Sequence, residues 1–170
     1  MTGAELLTTW RSTRRALAEA LRTMPADARL AWFGPSMRVR SFATARLMET
    51  WAHGEDVRAA LGLGHSIGRQ LRAVAHIGVQ TYGWSFVVRG LEPPTTPVRV
   101  ELSHDEGSPW VWGPDDAPDR VTGSALDFCL VVTQRRHVED TDLVATGDHA
   151  RAWLPIAQAF AGPPTTVTRT

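Results

Sequence analysis

Apolar residues recur at helical intervals through the first half of the chain and at alternate positions in part of the second. Between Ala4 and Arg22, Leu6, Leu7, Trp10, Leu17 and Leu21 keep mostly to three- and four-residue steps, predicting an amphipathic helix closed by Met24-Pro25. A loop containing Trp32-Phe33-Gly34-Pro35 follows. Ser41 is placed to cap a second helix, which stops at Leu61-Gly62, where glycine suits the left-handed C′ position. Gly62-Leu63-Gly64-His65 reads as a turn, and Ser66 offers another cap. From there Leu71, Val74, Ala75, Gly78, Val79, Tyr82 and Phe86 mark a long amphipathic helix ending at Arg89-Gly90.

Past Gly90 the period changes. Pro93-Pro94 and Pro97 make a stiff connector, and Val98-Arg99-Val100-Glu101-Leu102 alternates as a half-buried strand does. Asp105-Glu106-Gly107 can turn the chain into Trp110-Val111-Trp112, a hairpin partner whose alternate tryptophans suit packing. Gly113 to Pro118 is a loop, Arg120-Val121-Thr122 a short strand, and Ser124 to Arg136 has the length and apolar face of a helix. Asp148 caps a last helix through Trp153, Ile156, Ala157 and Phe160, and Gly162-Pro163-Pro164 closes the ordered region. The expected fold class is α+β. Residues 1–90 form a helical domain, 91–162 a small α/β domain with a short antiparallel sheet, and 163–170 a flexible Thr-rich tail.

Composition narrows the function classes. The 170 residues are 43% hydrophobic, enough for one average domain or two small ones. Eighteen basic side chains balance 18 acidic ones, so charge makes no case for nucleic acid or an anionic membrane, and nucleic acid is not an expected partner. Every basic residue is Arg, which supplies bidentate donors but no amine for Schiff-base chemistry. The single Cys129 lies in the apolar run Phe128-Cys129-Leu130-Val131-Val132 and is expected as a buried, reduced thiol. No segment approaches the roughly 20 apolar residues of a membrane span, and the N-terminus is acidic too early for a signal peptide. A cytoplasmic location without a membrane partner is the expectation.

Candidate chemistry centres on Glu49-Thr-Trp-Ala-His53-Gly-Glu-Asp56. At about 100° per residue, Glu49, His53 and Asp56 fall within roughly 60° of one another, an arc shared with Phe42, Ala45, Ala52 and Ala60. The trio is therefore expected to face inward, with Glu55 and Arg58 pointing elsewhere. Carboxylate and imidazole four residues apart suit a divalent cation, and they equally suit a plain hydrogen-bonded pair. Arg135-Arg136-His137 offers a two-pronged grip on an anionic cofactor, or alternatively cations complementing a helix C-terminus. His76, His104, His137 and His149 are read as structural or solvated.

The run from Ala45 to Val57, the segment Gly123 to His137 and the ending Ala157-Gln158-Ala159-Phe160-Ala161-Gly162 resemble an actinobacterial family of uncharacterised metal-binding proteins. That family is related to the mycothiol-dependent maleylpyruvate isomerases and to DinB-like four-helix bundles. The resemblance implies that Glu49 and His53 bind a divalent metal, usually zinc, while Asp56 orients a ligand or moves a proton. It also implies a third ligand, a His on the first bundle helix. That helix and its neighbour have no counterpart here, so a partial bundle is expected, with His65 and His76 as nearby substitutes. The implied activity is isomerisation or transfer on a small electrophilic substrate, dependent on a thiol such as mycothiol. The rival expectation is a non-catalytic remnant that covers its bare helical faces by homodimerisation or partner binding. The second part of the chain resembles a small domain named for wybutosine synthesis in transfer RNA.

Overall fold

A computed structural model describes residues 1–32, 36–105 and 107–167. Three features expected above lie wholly or partly outside them: the Phe33-Gly34-Pro35 part of the first loop, Glu106 in the second turn, and the last three residues of the tail. The chain forms two compact units, 1–43 and 44–170. Compactness thus divides it elsewhere than the change of period at Gly90.

In the first unit, helix α1 spans Gly3–Thr23. Thr2 Oγ1 accepts from the Glu5 amide and Glu5 Oε2 accepts from the Thr2 amide at 2.7 Å, a reciprocal capping box. Met24 ends the helix in an extended conformation, as its following proline requires. None of the α1 side chains is buried, so Leu6, Leu7 and Trp10 all remain exposed. Strands β1 (Arg29–Leu30) and β2 (Met37–Arg38) pair antiparallel on either side of the expected loop. Helix α2 (Val39–Ala60) starts directly after β2, and its first amide donates to Ala28 O at 3.1 Å. Ser41 therefore sits inside the first turn and is not the cap.

The second unit takes up α2 from Thr44 onward. The helix ends as glycine dictates: Gly62 has φ +64°, its amide donates to Ala59 O and that of Leu63 to Arg58 O. The expected long helix is two helices, α3 (Gln70–Gln80) and α4 (Tyr82–Val87). Ser66 caps neither: α3 starts at Gln70 with Arg69 in the cap position, and Ser66 Oγ accepts from the Gln70 side-chain amide at 3.3 Å. The break falls at Thr81, whose hydroxyl competes for the carbonyls of Ile77 and Gly78.

Strands β3 (Val98–Ser103), β4 (Trp110–Trp112), β5 (Asp119–Ser124) and β6 (Val144–Thr146) form one sheet in the order β4-β3-β5-β6. The β3–β4 hairpin is antiparallel, as expected, and β5–β6 is antiparallel too, but the central pair β3–β5 is parallel. A parallel neighbour needs a long crossover, and the β4 hairpin arm with the 113–118 loop supplies it. Gly113, at φ +83°, makes the turn possible, since a Cβ there would meet Val98 O at 2.2 Å. Val98, Val100 and Leu102 point to the core and Arg99 and Glu101 away from it, so the alternation in the sequence is realised.

Helix α5 (Ala125–Val132) is capped by Ser124 Oγ, which accepts from the amides of Leu126 and Asp127. It ends well before Arg136, because Gln134 takes φ +60° and the amides of Gln134 and Arg135 return to Val131 O and Leu130 O. Helix α6 (Asp148–Trp153) passes into a single 3-10 turn at Leu154–Ile156. Pro155 lacks the amide that would continue it, so Ala157 to Phe160 are not helical. Asp148 is the first helical residue and Gly147 the cap. Thr165 is not a loose end: its carbonyl accepts from Gln134 Nε2 at 2.8 Å.

One core runs through this unit. Met48 and Trp51 of α2, Leu71 and Val74 of α3, Phe86 of α4, the inner faces of β3 and β5, Phe128 of α5 and Trp153 of α6 belong to a single cluster. Phe128, Val74, Val100 and Trp153 have no exposed surface. Cys129 is buried and unpaired, and burial pushes its thiol far above the ordinary range, making it inert. Among the described residues no helix is long and apolar enough to cross a membrane.

Candidate functional site

The buried stripe of α2 is Ala45, Met48, Trp51, Ala52 and Glu55, at steps of three and four. It lies about 100° around the helix from the centre of the Glu49, His53, Asp56 arc. The expected inward orientation of that trio is therefore corrected. His53 is 70% exposed, Asp56 48% and Glu49 28%, whereas Glu55 is 3% exposed and faces the core. Met48 and Trp51 outweigh the alanines that had drawn the arc, because a large side chain gains far more than a methyl from leaving water.

The trio nevertheless forms one constellation. His53 Nε2 stands 3.5 Å from Glu49 Oε2, and its Nδ1 stands 3.0 Å from Asp56 Oδ2. Arg135, 79 residues further along, completes the chain: its Nε donates to Asp56 Oδ1 at 3.0 Å and its Nη2 to Oδ2 at 2.8 Å. This is the two-pronged carboxylate grip that guanidinium geometry favours. The Arg135 hydrogen bonds hold the Asp56 carboxyl below the usual carboxylate range against the opposing effect of burial, and His53 adds to the lowering.

Beside it runs a second chain, from Glu55, the residue before Asp56, through Arg136, the residue after Arg135, to Asp127 of α5. Glu55 Oε1 accepts from the Ser66 amide at 2.8 Å and Oε2 faces His65 Nδ1 at 2.6 Å. His65 Nε2 meets Arg136 Nη2 at 2.9 Å, and Arg136 Nη1 donates to Asp127 Oδ1 at 2.6 Å. Carboxylates only accept and guanidinium only donates, so His65 carries its proton on Nδ1 and its Nε2 accepts. Both ring nitrogens are thereby committed. Glu55, His65 and Asp127 were not singled out together by sequence; the i, i+3, i+7 relation of Glu55 to Ala52 and Met48 was the available signal. The two arginines expected to hold a cofactor each hold a carboxylate of the chain itself.

The fit of these residues to a divalent cation can be tested on distance. Two ligands bound to one tetrahedral zinc at roughly 2.05 Å stand about 3.3 Å apart. The 3.5 Å between Glu49 Oε2 and His53 Nε2 matches that edge. The carboxylate on the far nitrogen is the usual partner of a metal-bound imidazole. Glu49 and His53 are thus suited as two ligands. His65 and His76 do not join them: His65 is spent on Glu55 and Arg136, and His76 Nδ1 accepts from the Trp112 indole at 3.3 Å. Among the described residues no group of three His, Cys, Asp or Glu side chains is assembled for a metal.

A further titratable cluster lies under α6. Asp119 is buried, its Oδ1 accepts from the Ala150 amide at 3.0 Å, and its Oδ2 faces His149 Nδ1 at 3.0 Å. Burial raises the Asp119 carboxyl, but the Ala150 amide and His149 outweigh it and leave the group below the usual range. Thr96 Oγ1 reaches the same His149 nitrogen, so no hydroxyl–imidazole–carboxylate relay through opposite ring nitrogens is formed. The cluster anchors a helix. His104 stacks on Trp110 with ring centroids 4.2 Å apart, which is packing.

Residues 1–58 match the family model described as mycothiol maleylpyruvate isomerase N-terminal domain, and residues 95–146 match the one described as wyosine base formation. Glu49, His53 and Asp56 fall within the first segment and Arg135 and Arg136 within the second. Two curated proteins described as uncharacterised, from Mycobacterium tuberculosis strains CDC 1551 and H37Rv, are each 56% identical to the chain over 161 residues. That span covers 95% of this chain and 63% of each relative, so the chain spans less than two thirds of their length.

Proposed function

We propose that this chain carries part of a divalent-metal site, zinc being the ion its donors suit, that serves thiol-dependent isomerisation or transfer on a small electrophilic substrate. The observation that carries the metal part is the 3.5 Å approach of Glu49 Oε2 and His53 Nε2, with Asp56 on the opposite ring nitrogen. The match of residues 1–58 to the mycothiol maleylpyruvate isomerase N-terminal domain supports the reaction class and mycothiol as the thiol.

A bound zinc would supply Lewis acidity and lower the pKa of a coordinated water or thiol. The chain's own residues supply the rest. Glu49 and His53 hold charge and lone pair on one exposed face, open to a small molecule. Asp56 takes the Nδ1 proton of His53 as a hydrogen bond and keeps the ring turned. Arg135 keeps Asp56 anionic.

Metal content decides the matter. After zinc loading and removal of free ion, elemental mass spectrometry should find more zinc in the wild-type chain than in His53→Ala or Glu49→Ala. Equal zinc in wild type and both variants would overturn the assignment of these two residues. An assay of maleylpyruvate isomerisation with and without mycothiol then tests the reaction class separately.

A further inference from the structure

Arg135 is held at both ends. Its backbone follows Gln134, which adopts φ +60°, a conformation unfavourable for a residue with a Cβ, and its amide is fixed to Leu130 O at 2.7 Å. Its guanidinium also donates to Thr133 O, and its side chain is only 21% exposed. A surface ion pair is ordinarily two free side chains meeting in water and contributes little. Here one partner is fixed in advance, and the carboxylate it grips also touches His53.

We propose that Arg135 is a positioning residue for His53: acting through Asp56, it fixes the imidazole as the Nδ1–H tautomer and turns the Nε2 lone pair toward Glu49. The logic is one of donors and acceptors. Arg135 donates to both Asp56 oxygens and so holds in place an ionised carboxylate, which can only accept from His53. Of the two carboxylates beside the ring Asp56 is the hydrogen-bonded one, at 3.0 Å against 3.5 Å for Glu49, so a neutral His53 places its single proton on Nδ1 and leaves Nε2 bare. A metal needs that nitrogen bare. The segment matched to the wyosine base formation model would in this way govern a ligand in the segment matched to the isomerase N-terminal domain. The tautomer stands on geometry alone; its consequence for metal rests on the proposed function.

Carbon and nitrogen NMR of histidine-labelled, metal-free chain, above the histidine titration range, reads the tautomer directly. Wild-type His53 should be predominantly Nδ1–H, although a solvated imidazole favours Nε2–H. Arg135→Met, which keeps the apolar stem, should shift His53 toward Nε2–H, and Arg135→Lys should fall between them. Asp56→Ala, on an exposed helix face, gives the same reading if Arg135→Met does not fold. Zinc affinity should fall about ten- to hundredfold in Arg135→Met. An Nε2–H ring in wild type, or the same tautomer in wild type, Arg135→Met and Asp56→Ala, overturns the proposal. If the tautomer responds as stated but wild type binds no zinc, positioning stands and the metal reading fails. If zinc binds wild type and Arg135→Met equally but not His53→Ala, the metal reading stands and positioning fails.

Discussion

Asp56 and Asp119 are both carboxylates held below their usual range, each facing a histidine at 3.0 Å, yet they do different work. Asp119 is 3% exposed and fastened to the backbone of α6 through Ala150, so its charge is part of the fold. Asp56 is 48% exposed and fastened to a side chain from 79 residues away, so its charge orients another side chain at the surface. Burial separates the two roles. An unpaired buried charge costs the whole desolvation penalty, whereas an exposed one is rescued by water.

The comparison can be broken most forcefully at Asp119. Asp119→Ala should lower stability by about 3 kcal/mol, since it orphans the Ala150 amide in the interior. Urea unfolding measures it, and a loss comparable with that of Asp56→Ala would erase the distinction. Gly147→Ala should cost about 2 kcal/mol, because Gly147 has φ +91° and a Cβ there would meet Asp119 Oδ1 at 2.4 Å and Pro118 O at 2.7 Å.

Acid sharpens the same point. The folded carboxyl of Asp119 is depressed, so its stabilisation is fully present above the unfolded value of about 3.9 and is lost as pH falls through the folded value. The stability gap between wild type and Asp119→Asn should be flat above about pH 5 and close below about pH 4. Unfolding curves at a series of pH values test this, and a gap that widened on acidification would contradict the sign. The smallest effect is expected at the partly exposed Arg135–Asp56 pair: Arg135→Met and Asp56→Ala should each change stability by less than about 1 kcal/mol, while altering the His53 ring as described.

Local chemistry made much of the second unit legible. The alternation at Val98 to Leu102, the helix start at Ser124 and the left-handed Gly62 all follow from residues within one turn or one strand. Ser41 and Ser66 misled because a cap depends on where the helix starts: α2 already begins at Val39, bound to Ala28, and α3 only at Gln70. Strand β6 offered only Val144-Ala145-Thr146, too short to read without its partner β5. At the site, the Glu49, His53, Asp56 spacing was visible because helical geometry sets it. The face it shows was not, because the buried face is chosen by what packs against Met48, Trp51 and Glu55.

The sequence by itself determined the α+β class, the inert interior cysteine and the clustering of Glu49, His53 and Asp56, since composition, periodicity and helical spacing are properties of neighbouring residues. Only the tertiary structure decided that Arg135 reaches Asp56, that Arg136 and Glu55 enclose His65, and that the central strands run parallel. Those contacts join residues from 10 to 79 positions apart, and one core closing around α2, α3, α5 and the sheet brings them together.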